Sequence, residues 1–165
     1  MSLSNRVLVE SIITNLEKVE QTFSIAESCT CGMLTSAFAY RSGVSKTFLG
    51  GVVSYANSVK QEVLGVSQTT LETRGAVSKE TAMEMAKGAK QKLNSDWSVS
   101  VTGIAGPTGG SQEKPVGTVC FAVVGPNIEE VRRENFQGDR QAIQNITVDY
   151  ALRFLLETTN KKFNH

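Results

Sequence analysis

A chain of 165 residues that is 40% hydrophobic can build one domain with a proper core, spanning 1–165, and is too short for two. Its 17 Lys and Arg against 16 Asp and Glu leave no global field to draw it to nucleic acid or a membrane surface. No uninterrupted apolar run could span a bilayer and the N-terminus carries no signal segment, so a cytoplasmic protein with no membrane partner is expected.

In residues 2–21, Leu8, Ile12, Leu16 and Val19 recur at helical spacing, with Glu10, Glu17, Lys18 and Glu20 mostly off that stripe. This predicts an amphipathic packing helix. Thr22, Phe23 and Ile25 then read as a short strand that leads into Ser24-Ile25-Ala26-Glu27-Ser28-Cys29-Thr30-Cys31-Gly32. The small polar residues from Ser28 onward are expected to open a helix through Met33, Leu34, Ala37 and Phe38, ending near Arg41-Ser42-Gly43. A serine at such a turn faces the free N–H groups of the helix, where a nucleophile and an oxyanion can both be held. It serves equally well as an ordinary N-cap.

Phe48-Leu49-Gly50-Gly51-Val52-Val53-Ser54-Tyr55 has strand composition, with a glycine pair that marks a bulge or a close backbone approach. A short helix follows, with Asn57 as cap, Lys60 about one turn in and Gly65 as stop. If this strand neighbours the first, Tyr55 and Lys60 share a cleft with Ser28; on their own they fit a packing tyrosine and a surface lysine. Residues 67–74 read as another short helix closed by Gly75. Ser78 caps a longer one with Ala82, Met85, Ala86, Ala89 and Leu93 inward, a core stripe with no chemistry.

Trp97-Ser98-Val99-Ser100-Val101-Thr102 alternates as a strand and ends in Gly103-Ile104-Ala105-Gly106-Pro107-Thr108-Gly109-Gly110-Ser111. Such a loop lets backbone amides approach an anion, but it lacks the P-loop ending and the dinucleotide spacing, and it also reads as plain flexible loop. Thr118-Val119-Cys120-Phe121-Ala122-Val123-Val124 is apolar enough for mid-sheet, and residues 128–136 return as a half-exposed strand. The last helix starts at Gly138-Asp139-Arg140, with Asp139 as cap and Ile143, Ile146, Tyr150 and Phe154 inward. Arg140 at its head suits a phosphate, or simply solvent.

The order of elements gives an α/β fold: a three-layer α/β/α arrangement around a mixed, mostly parallel sheet, with ligands expected at strand C-terminal ends. Cys29, Cys31 and Cys120 form no disulfide framework, and with His165 as the sole histidine no metal site is expected. That terminal histidine also leaves no ordinary Ser-His-Asp triad, so a nucleophilic Ser28 would need another base, for which lysine is the usual substitute.

Together, Ala26-Glu27-Ser28-Cys29-Thr30, Tyr55-Ala56-Asn57-Ser58-Val59-Lys60, the loop from Thr102 to Gly110, Lys114-Pro115-Val116-Gly117-Thr118 and Gly138-Asp139-Arg140 resemble the CinA C-terminal domain family in its stand-alone form. The resemblance runs along nearly the whole chain. It implies a nicotinamide-nucleotide amidase that converts nicotinamide mononucleotide (NMN) to nicotinate mononucleotide and ammonia, needs no metal or cofactor, takes a small nucleotide as its partner and forms a homodimer. The family's serine, tyrosine and lysine fall on Ser28, Tyr55 and Lys60. The substrate-binding set it implies is Thr30, Gly32, Asn57, Thr102, Gly103, Ala105, Gly106 and Arg140. The family usually reads Glu-Ser-Cys-Thr-Gly-Gly, whereas Cys31 stands here in place of the first glycine. Two competing readings are Cys29 as nucleophile, activated at a helix start, and a nucleotide-binding protein of the same fold without catalysis.

Overall fold

Trp97, Val99 and Val101 alternate with Ser98, Ser100 and Thr102 along β3 (Trp97–Gly103), and this alternation sorts the two faces of the sheet. In the computed structural model, which describes residues 2–163, the apolar set packs with Phe23, Ile25, Val119, Phe121 and Val123 under α1 (Leu3–Lys18) and α6 (Arg140–Phe163). The hydroxyl set meets the opposite layer, which contains α5 (Lys79–Leu93). There Ser98 Oγ donates to Ala86 O, Ser100 Oγ to Ala82 O and Thr102 Oγ1 to Ala76 O, so each hydroxyl is buried with a partner. A methyl at Gly88 would come within 1.9 Å of the Leu64 carbonyl, so the bare glycine lets α5 lie close to the preceding chain.

The sheet holds β1 (Phe23–Glu27), β2 (Phe48–Val53), β3, β4 (Thr118–Gly125) and β5 (Ile128–Asn135) in the order β2-β1-β3-β4-β5. β1 pairs in parallel with both β2 and β3, and β4 and β5 extend the sheet as an antiparallel hairpin. With helices on both faces, this is the α/β/α arrangement around a mixed sheet that the sequence predicts. β4 is buried along its whole length, whereas β5 alternates. The short helices α2 (Met33–Ser36), α3 (Asn57–Glu62) and α4 (Gln68–Thr73) fill the connections. The glycine pair of β2 makes the predicted close approach: a Cβ on Gly51 would sit 2.2 Å from Thr35 Oγ1. Among the described residues, no helix is long and apolar enough to cross a membrane.

Four local expectations change. The helix expected to run from Ser28 to near Arg41-Ser42-Gly43 covers only Met33–Ser36: Cys31 and Gly32 take left-handed φ of 49° and 97° and interrupt any earlier turn, and the residues after Ser36 continue as turns. Asn57 is not a cap; it is the first residue of α3, whose cap position is Ala56, with no side-chain bond. Val19 lies past the end of α1 and is 41% exposed, so the core stripe there is Val9, Ile12, Ile13 and Leu16. Ile146 is 40% exposed, because α6 buries a broader face through Ile143, Val148, Ala151, Leu152 and Leu155 against both the sheet and α1. His165 lies outside the described residues.

Candidate active site

Parallel pairing brings the C-terminal ends of β1, β2 and β3 to one rim, with Glu27 registered against Val53 and Val101. The residues that follow each strand therefore meet. Ser28 leaves β1 with its amide on Val101 O, and the next residues form a tight turn in which Cys31 N donates to Ser28 O at 3.1 Å. The turn is clamped from below by Glu27, which is fully buried. One of its carboxylate oxygens accepts from Thr30 Oγ1 at 2.6 Å and Leu34 N at 3.1 Å, and the other from Thr35 N at 3.0 Å. The same residue's backbone carbonyl accepts from Ser54 N at 2.8 Å, tying the end of β2 to the end of β1.

Lys60 reaches this rim from α3. It is 1% exposed, its Nζ donates to Ser54 O at 2.7 Å and Tyr55 O at 3.2 Å, and it lies within hydrogen-bond distance of Ser28 Oγ, at 3.1 Å. Burial pushes its pKa below the ordinary lysine value, since a charged ammonium loses hydration there; the nearby Cys29 opposes this only in part. Tyr55 meets the lysine through its carbonyl, not its ring. Its hydroxyl points outward and accepts from Arg140 Nη2 at 3.2 Å, while Arg140 Nη1 donates to Gly106 O at 2.8 Å. Arg140 thus bridges the tyrosine and the glycine-rich loop across the mouth of the site.

Ser28, Tyr55, Asn57, Lys60, Thr102, Gly103, Ala105 and Arg140 line one cavity of about 200 Å³, together with Cys29, Ala76 and Val77. Gly106 joins this group through its carbonyl on Arg140. Thr30 is buried against Glu27, and Gly32 sits one residue before α2; neither lines the cavity. Larger grooves of about 660 and 770 Å³ lie elsewhere, but no nucleophile among their lining residues is paired with a buried base. Cys29 is 4% exposed and burial pushes its thiol up to about 12, so at neutral pH it carries almost no thiolate. Among the described residues, no group of three or more His, Cys, Asp or Glu is close enough to hold a metal.

Two further residues belong to this machinery. Glu27 stands in the sequence as part of the block before Ser28 with no role assigned to it; in the structure it ends β1 and its carboxylate holds the turn. Gln144, from α6, donates through Nε2 to Cys29 O at 2.7 Å across 115 residues of chain. Nothing local in the sequence signals that contact.

With the geometry in place, the chain matches the model of the CinA C-terminal domain over residues 5–159. It is 50% identical over 143 residues to a CinA-like protein of Fervidobacterium nodosum, covering 87% of this chain and 35% of that protein. A CinA-like protein of Geotalea daltonii is 47% identical, with 89% and 36% covered. The chain therefore spans little more than a third of the length of these curated relatives. Among solved structures, a competence/damage-inducible protein of Agrobacterium tumefaciens superposes with a TM-score of 0.92 at 39% identity, covering 97% of this chain and 99% of that one. A competence-damaged protein (CinA) superfamily protein of Enterobacter cloacae gives 0.91 at 32% identity, covering 96% and 94%.

Proposed function

Because the chain belongs to the CinA C-terminal domain family, we propose that it hydrolyses the carboxamide of NMN to nicotinate mononucleotide and ammonia, with Ser28 as nucleophile and Lys60 as general base. The observation that carries this reading is the 3.1 Å contact between Lys60 Nζ and Ser28 Oγ inside the cavity. A neutral lysine amine has two N–H groups and one lone pair. The carbonyls of Ser54 and Tyr55 can only accept, so they take the two N–H groups and leave the lone pair for the Ser28 hydroxyl. Burial favours that neutral form.

The reaction then follows as acyl transfer. Ser28 Oγ bonds to the carboxamide carbon as its proton passes to Lys60 Nζ, giving a tetrahedral oxyanion. The amide nitrogen takes a proton from the Lys60 ammonium, the C–N bond breaks and ammonia leaves. Water attacks the acyl-serine, giving its proton to the amine. The bond to Ser28 Oγ breaks, and the serine recovers its proton from Lys60. The carboxylic acid product ionises in water.

A cavity of about 200 Å³ is smaller than the roughly 300–1,000 Å³ of common ligand pockets, which suits the reacting end of a nucleotide with its phosphate left at the mouth. Arg140 stands at that mouth, beside the glycine-rich loop, as the phosphate partner. The catalytic pair comes from one chain, so the homodimer that the resemblance implies is not required to complete it. Incubation with NMN, with ammonia and nicotinate mononucleotide assayed against a Ser28→Ala control, tests the reading. No turnover above the control overturns it, and thermal stabilisation by NMN without product would favour a binding protein instead.

A further inference from the structure

α1 buries the stripe Val9, Ile12, Ile13 and Leu16, and Asn5 falls on the same stripe one turn earlier. Its side chain is buried, at 7% exposure, yet the carboxamide makes no hydrogen bond among the described residues. Only the backbone N–H of Asn5 is used, by Ser2 Oγ at 3.1 Å. A buried amide with nothing to bind is unfavourable, and an apolar residue would complete the stripe without that cost.

Asn5 lines the groove of about 660 Å³ between α1, α2 and α6. Its oxygen is the end shut away from solvent, so the NH2 is the end that opens on the groove. The volume falls within the roughly 300–1,000 Å³ of small-molecule pockets, and the walls have their usual character. Met33, Ala37 and Val148 form an apolar floor, which the Tyr40 ring and Ile146 continue toward the surface.

Charge at the groove is one-sided. Asp149 is occupied, with both carboxylate oxygens held by Arg153 at 2.7 and 3.1 Å. Arg6 lies with its Cζ 5.5 Å from the Tyr40 ring centroid and has no carboxylate partner among the described residues. Glu10, one turn further along α1, pairs with Arg41 at 2.9 Å instead. A donor NH2 and an uncompensated guanidinium therefore stand side by side on α1, above a floor that offers a thioether and a phenol ring. That combination fits a flat aromatic acid, its ring against Met33 and Tyr40 and its carboxylate on Arg6 and Asn5.

We propose that this groove is a second binding site, for an aromatic carboxylate, with Asn5 and Arg6 as its recognition pair. None of its lining residues lines the cavity that holds Ser28, so the site stands independently of the reading of Ser28 as nucleophile.

The test titrates the full chain with 2-naphthoate by isothermal calorimetry, with 2-naphthamide as the uncharged counterpart. One equivalent of the acid is expected to bind with a Kd on the order of 0.02–1 mM. The amide should bind about tenfold or more weakly, through loss of the charge-assisted contact. Arg6→Ala, which changes an exposed side chain, should weaken the acid by a similar factor. Asn5→Leu should weaken it about three- to tenfold and raise the Tm of the ligand-free protein, because it removes an unpaired buried amide. Arg140→Ala should leave the affinity unchanged. No binding at millimolar concentration overturns the proposal, as does equal affinity for acid and amide or full affinity in Arg6→Ala. Loss of binding in Arg140→Ala overturns it by placing the acid in the other cavity. A lower Tm in Asn5→Leu, or its failure to fold, overturns it by showing that the amide is a structural group.

Discussion

Lys60 Nζ lies 3.1 Å from Ser28 Oγ although the two side chains arrive from different units of the fold, Ser28 from the end of β1 and Lys60 from the first turns of α3. The parallel register between β1 and β2 makes the meeting possible, since Glu27 opposite Val53 sets the two exits side by side. Burial then gives the pair its chemistry. A solvated lysine would hold its proton at neutral pH, whereas this one is pressed toward the neutral amine.

Lys60→Met is expected to lower kcat by about 100- to 10,000-fold, the range of a lost general base. The same substitution should remove a pH dependence of stability. With its pKa lowered on folding, Lys60 binds fewer protons in the native state than in the unfolded chain between the folded and ordinary lysine values. Wild-type stability from this residue should therefore rise with pH through that window, by up to about 1.4 kcal/mol per pH unit, and its penalty should be present in full below the folded pKa. Thermal unfolding of both proteins across alkaline pH measures the difference. Parallel curves would show that Lys60 is protonated alike in both states.

Tyr55→Phe is expected to lower kcat/KM by less than about tenfold, because the hydroxyl contacts Arg140 while the lysine is met by the backbone carbonyl that phenylalanine keeps. A proton relay through the phenol would instead lose about 100-fold or more. Steady-state kinetics on the variant separates the two roles.

The sequence places much of this site and misses its supports, for physical reasons. Ser28, Tyr55 and Thr102 stand where apolar alternation stops, and strand ends are where a parallel sheet collects ligands. Lys60 follows from its distance beyond β2. The turn was harder to read: small polar residues before Met33 resemble a helix start, and only the left-handed backbone at Cys31 and Gly32 shows that the helix begins later. Gln144 could not be found by local pattern. A glutamine on an amphipathic helix has no periodic signature of its own, and its partner is 115 residues away. Glu27 was hidden in the same way, since its role depends on the chain folding back over its carboxylate.

Arg140→Ala is expected to raise KM for NMN about 10- to 100-fold with a smaller change in kcat, as loss of a charge-assisted phosphate contact worth about 1.5–3 kcal/mol would do. Nicotinamide riboside, which lacks the phosphate, should be turned over equally poorly by wild type and variant. Equal KM increases for nucleotide and riboside would assign Arg140 to the shape of the mouth through Tyr55 and Gly106, not to the phosphate.

Cys31→Gly should stabilise the protein and report on the turn that carries Ser28. Cys31 holds φ at 49°, where a Cβ crowds the backbone at a cost of roughly 1–2 kcal/mol. Its side chain is exposed, so no packing is lost on removal. Glycine relieves the crowding, but the unfolded chain gains about 0.4–1 kcal/mol of conformational freedom. The balance is a gain of up to about 1.6 kcal/mol, centred on about 0.8 kcal/mol, or a rise in Tm of about 2–3 °C and at most about 6 °C for a chain of this size. Differential scanning calorimetry resolves such a shift. NMN turnover measured on the same samples shows whether the cysteine also shapes the site. A rise in Tm with unchanged kcat/KM would make Cys31 a tolerated strain, whereas a rise in both would mean that the left-handed cysteine holds the nucleophile's turn away from its best geometry. A fall in Tm would show that the side chain has a stabilising contact stronger than the strain it carries.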